Sequence, residues 1–114
     1  MTRTKGLFYD LLGNVVKNVF PEATYSMSIR DTIVRASTVI GGGGAFVITL
    51  PPVAKAAYRM YSIMMAALNG SEYITLEDYK NDAGFSNVTL NAVNDQILLY
   101  SDGYFWYTLA SSGI

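Results

Sequence analysis

Acid–base or metal chemistry in this chain has to come from carboxylates, because histidine and cysteine are both absent. Without histidine, no side chain ordinarily changes charge near neutral pH, and the commonest metal ligand is missing. Without cysteine there is no thiolate nucleophile, disulfide or sulfur ligand. Composition therefore excludes a Ser-His-Asp triad and a conventional zinc site. The nine carboxylates are Asp10, Glu22, Asp31, Glu72, Glu77, Asp78, Asp82, Asp95 and Asp102, and only the stretch EDYKND, 77–82, clusters them. Glu77, Asp78 and Asp82 could share a calcium ion, which takes several oxygen ligands, but they lack the D-x-D-x-D-G spacing of a calcium loop. They read as a solvated loop edge, and no metal or cofactor is expected. A glycosidase needs two carboxyl groups at a set separation, and the sequence contains no paired-carboxylate motif.

Two other stretches could carry function. Four glycines, Gly41 to Gly44, stand in VIGGGGAFVITLPP, 39–52. A phosphate-cradling loop follows a strand, opens a helix and usually places Lys and Ser or Thr after its last glycine. Here AFVITL follows, which has no lysine and reads as a strand, so the glycines are expected to be a hinge. The run YFWYTL, 104–109, concentrates four aromatics. Strand alternation sends Tyr104 and Trp106 to one face and Phe105 and Tyr107 to the other. Aromatic mass on both faces fits a strand buried between its own core and a neighbouring subunit; a sugar-binding platform is the functional rival. Met64 and Met65, beside small alanines, read as packing.

The elements that position these residues are strands. Apolar runs with β-branched and aromatic residues lie at 45–50, 60–68, 72–78, 87–92, 95–101 and 104–110, with a short helical turn expected after Pro51-Pro52. Within 72–78 the alternation puts Ile74 and Leu76 on one face and Tyr73, Thr75 and Glu77 on the other. Asp102-Gly103 is a hairpin signal, and so is Gly13-Asn14 between two β-prone runs, where an amphipathic helix over 7–19 is the competing reading, disfavoured by Gly13 and the valine pair. Residues 24–38 read as extended, with two short strands around Arg30-Asp31. The dipeptide Thr-Leu closes four of the strand signals, at 49–50, 75–76, 89–90 and 108–109, too unevenly spaced for a repeat. Several short strands separated by turns predict an all-β domain, a compact β-sandwich or tulip-like barrel of about six to eight strands. The segmentation predicts an extended N-terminal arm at 1–40, a glycine hinge at 41–44 and a β knob at 45–114.

With 114 residues the chain makes one domain, yet 51% of it is hydrophobic and only 15% charged. A globule this small buries a lower fraction of its chain than a larger one, and large exposed apolar patches mark partner surfaces. An oligomer is therefore expected. The net charge is −1 with no basic stripe, so nucleic acid is not an expected partner. The apolar run YSIMMAAL, 61–68, is too short to span a bilayer, and MTRTKGLFYD lacks the apolar stretch of a signal peptide.

The segments AFVITLPPVAKAAYRMYSI, ITLEDYKNDAGFSNVTL and NDQILLYSDGYFWYTLASSGI together resemble a module of tailed-phage virion structural proteins. The matching residues are Leu50, Pro51, Tyr61, Ile63, Leu99, Tyr100, Ser101, Asp102, Gly103, Trp106 and Tyr107, within 45–114. One departure is Tyr58, which stands where such modules often carry glycine. The resemblance is to capsid cement (decoration) proteins and trimeric fibre-head modules, and it implies a homotrimer without enzymatic activity. The function it implies is binding to the phage major capsid protein on the outer surface of the head; a receptor-binding fibre or spike head is the alternative. The arm residues expected to hold the capsid are Leu7, Phe8, Tyr9, Val15, Val16, Val19 and Phe20; packing of the same residues back on their own domain is the alternative. The residues expected at the trimer interface or core are Phe46, Tyr61, Tyr100, Tyr104 and Trp106. Ser101, Asp102 and Gly103 are expected to build the hairpin turn and carry no chemistry.

Overall fold

In the computed structural model, residues 17–38, 46–70 and 72–114 are described. They form nine strands: β1 (Asn18–Val19), β2 (Tyr25–Ser26), β3 (Ile33–Ser37), β4 (Phe46–Thr49), β5 (Met60–Ala67), β6 (Ile74–Glu77), β7 (Val88–Leu90), β8 (Gln96–Ser101) and β9 (Trp106–Ser112), with one 3₁₀ turn at Tyr79–Asn81. The domain is all-β and has two sheets. One sheet runs β1-β3-β5-β8-β9, the other β2-β4-β6-β7. Among the described residues both are open, ending at β1 and β9 and at β2 and β7.

Successive strands from β1 to β6 alternate between the sheets. Within each sheet they pair in parallel: β1 with β3 and β3 with β5, then β2 with β4 and β4 with β6. Parallel neighbours need a crossover, usually a helix. Here each crossover is a strand of the opposite sheet, so three turns of a flattened coil build both layers at once. The coil ends at β7, which returns antiparallel to β6, and at β8 and β9, which add antiparallel to β5.

Period-two burial explains why these runs are strands. In β5, Tyr61, Ile63 and Met65 are buried while Ser62 and Met64 are half-exposed; in β6, Ile74 and Leu76 are buried and Thr75 and Glu77 are not. Val34, Ala36, Ile97 and Leu99 from one sheet and Phe46, Ile48, Ile74, Leu76 and Leu90 from the other close a single core.

The segmentation into arm and knob is corrected for the described part of residues 1–40. Strands β1, β2 and β3 lie in that span and pair into both sheets, and Val34 and Ala36 are fully buried in the core. Pro21 is buried within this span, and its carbonyl accepts the Ser37 amide at 3.0 Å. Val19 packs against the core, and the Arg35 guanidinium lies over the Phe20 ring at 4.5 Å, so both residues lean on their own domain. Leu7, Phe8, Tyr9, Val15 and Val16, the Gly13-Asn14 hairpin signal and the Gly41–44 hinge lie outside the described residues.

Candidate functional site

The carboxylates that could have done chemistry hold backbone instead. Asp78 Oδ2 accepts the amides of Ala83 (3.2 Å) and Phe85 (2.9 Å), and Asp82 Oδ2 accepts Val53 N–H at 2.9 Å. Asp95 Oδ2 accepts Asn91 and Ala92 N–H, each at 3.0 Å. Among the described residues, no three Asp or Glu side chains come together as metal ligands would. Local geometry gives Asp78 and Asp95 this work, since a short carboxylate satisfies turn amides a few residues away, whereas Asp82 holds a segment 29 positions earlier in the chain.

Asp31 is the deepest charge, fully buried. Its Oδ2 accepts the Tyr25 hydroxyl at 2.5 Å and Ser28 N–H at 2.9 Å, and Lys17 Nζ lies 3.3 Å from Oδ1. Burial pushes its carboxyl up, but the hydrogen bonds from Tyr25 and Ser28 and the Lys17 charge together hold it below its ordinary value. The same pair raises Tyr25 to about 12, through burial first and then the bond to Asp31. Beside it, the Tyr61 hydroxyl donates to Ile29 O at 2.7 Å, and burial raises it to about 12 as well. This cluster ties the 25–31 turn to β5; it is a structural clamp.

The surface with functional potential is the aromatic end of the β5-β8-β9 layer. Its frame is the turn between β8 and β9. Buried Ser101 Oγ donates to Val53 O at 2.8 Å and accepts Gly103 N–H at 3.0 Å. Asp102 Oδ1 accepts Tyr104 and Phe105 N–H, each at 2.8 Å, and Oδ2 accepts the Tyr107 hydroxyl at 3.0 Å. Those amide bonds, to Phe105 and then Tyr104, hold the Asp102 carboxyl below its ordinary value. Gly103 has φ +95°, and a Cβ there would stand 3.2 Å from Ala57 Cβ, so the turn sits tightly on the 53–59 segment. The result is a four-residue hairpin loop, wider than a two-residue Asp-Gly turn.

That width moves the aromatics. Tyr104 and Phe105 stand in the loop, and β9 begins only at Trp106. The alternation expected for 104–107 therefore fails at its start. Trp106 turns inward, 9% exposed and edge-to-face on Tyr61 at 5.6 Å, whereas Tyr104 is 76% exposed. Of the five residues assigned to the trimer interface or core, Phe46, Tyr61 and Trp106 belong to the core of the single chain, Tyr100 is half-buried and Tyr104 stands out. Cross-strand register lines Met60 beside Tyr100 and Tyr100 beside Tyr107, adding two exposed apolar side chains to the same end.

Sequence reasoning weighed Tyr58 only as a departure from glycine. It is 78% exposed with φ +65°, a left-handed conformation that costs a bulky residue energy. Its amide donates to Ser101 O at 2.7 Å, which pins the segment to the hairpin. The signal was present in the missing glycine, since the backbone keeps a glycine-like angle while the side chain is aromatic. Phe85, Val88 and Phe105–Thr108 line an open groove of about 480 Å³ on the far side of the hairpin. What this arrangement can do chemically is bind: it presents rings and methyl groups on a rigid frame, with its one carboxylate occupied by the loop.

No family model matches the chain, and neither the curated proteins nor the solved structures yield a match.

Proposed function

We propose that this chain is a non-enzymatic assembly protein of tailed-phage particles, a decoration protein that self-associates as a trimer and binds the major capsid protein on the outside of the head. The observation that carries the reading is the bare aromatic end built by Tyr58, Met60, Tyr104, Phe105 and Tyr107 around a hydrogen-bonded hairpin. Large exposed aromatics on a stiff support are the features of protein-binding surfaces. The phage assignment itself rests on the resemblance in residues 45–114. Stabilisation of a shell in this way is mechanical, through many modest contacts summed over linked subunits.

The test is co-sedimentation of the purified chain with empty shells assembled from tailed-phage major capsid protein. Saturable binding that raises the temperature at which the shells fall apart is expected. Binding to host cells or glycans with none to shells would replace this reading with the receptor-binding one, which the same aromatic end would serve.

A further inference from the structure

We propose that β9 is the strand through which copies of this chain join, its free edge and bare side chains covered by a second copy. This deepens the self-association in the reading above and rests on that part of it alone. Four strands end the two sheets, and three are short: β1 and β2 have two residues each and β7 three. Among the described residues only β9, with seven residues, presents a long row of backbone groups without a partner strand on its outer side. Such an edge is a template for another strand, and proteins that stay alone guard it with lysine, proline, short length or a bulge.

Residues 103–114 contain neither a charge nor a proline. The one guarding device is a bulge: Leu98 faces Ala110 and Leu99 faces Thr108, leaving Leu109 as the extra residue. The side chain it pushes out is apolar and 52% exposed. Every residue of β9 after Trp106 is exposed, whichever way it points. The four-stranded sheet does not reach over it, so both faces stand uncovered beside Tyr107, Leu109 and the exposed Ile114. The strand itself offers a partner no charge to pair with, and the nearby Asp102 carboxylate is engaged by the Tyr104 and Phe105 amides and the Tyr107 hydroxyl. An uncharged strand with a free edge fits best against its own kind, and among the described residues no other edge strand matches its length.

Sedimentation of the full chain at micromolar concentration tests this, beside Leu109→Lys and, as a control just ahead of β6 in the other sheet, the exposed Tyr73→Lys. The parent and Y73K should sediment as assemblies of whole 12.5 kDa units. L109K should fall to the single-chain mass with an unchanged far-ultraviolet spectrum. In case L109K misfolds, hydrogen exchange on the parent gives a second readout: β9 amides should gain protection as concentration rises, and β1 amides should not. A single-chain parent, an L109K assembly as large as the parent, or β9 exchange indifferent to concentration would overturn the inference. The mass also tells whether two strands meet edge to edge or three meet around an axis, and either supports it. If L109K is monomeric but the parent ignores capsid shells, the edge inference stands and the decoration reading falls; shell binding by an assembly that L109K leaves intact gives the reverse.

Discussion

At the scale of single residues, the acidic side chains are scaffolding and the tyrosines are their counterparts. Because Asp31 has a lowered carboxyl value, its contribution is present above its ordinary 3.8 and is lost as pH falls through the lower folded value. Tyr25 and Tyr61 behave oppositely. Raised from 10 to about 12, they contribute fully below pH 10 and lose that contribution as pH climbs toward 12. Melting temperature measured against pH should therefore fall at both ends. Asp31→Asn should cost about 2 kcal/mol at pH 7, since bonds to a charged group are lost, and should flatten the acid limb; Tyr61→Phe should flatten the alkaline one. Tyr58 makes a separate prediction. Tyr58→Gly and Tyr58→Ala both remove the ring, but only glycine accepts φ +65° without strain. The glycine variant should be more stable than the alanine variant by about 1 kcal/mol in urea denaturation.

At the scale of elements, β5 is the centre and the β8–β9 hairpin the periphery. β5 pairs in parallel with β3 and antiparallel with β8, and it carries Tyr61, Ile63 and Met65 into the core. Ile63→Ala should cost about 2–5 kcal/mol, because a fully buried side chain leaves a cavity, and denaturant midpoints will read it directly. The loop at the tip of the hairpin, 102–105, is held mainly by Asp102, while β8 and Trp106 pack in the core. Asp102→Ala removes the acceptor for two loop amides and the Tyr107 hydroxyl. Exchange of the Tyr104 and Phe105 amides should quicken while that of the β5 amides stays slow, because local opening there need not disturb the core. Thr-Leu shows how far strand chemistry carries. Leu50, Leu76 and Leu90 are buried as that pattern implies, but Leu109 is exposed, since no opposite strand covers β9.

At the scale of the whole molecule, the boundary between arm and domain moves. Deleting residues 1–40 would remove three strands from two sheets and take Val34 and Ala36 out of the core. That truncation should give no cooperative melt, read by circular dichroism against temperature. The sequence by itself determined the absence of thiol and imidazole chemistry, the all-β class and the position of most strands, because composition and period-two burial are local properties of the chain. It also marked the aromatic run at 104–107 and the turn at Ser101-Asp102-Gly103. Only the tertiary structure decided that consecutive strands alternate between sheets, that Pro21 sits inside the domain, that Trp106 belongs to the core, and that Tyr58 joins Tyr104 on one surface. Strand pairing is a choice of partner among edges distant in sequence, and which faces remain bare depends on how far the opposite sheet reaches. Neither is written in the alternation of a single strand.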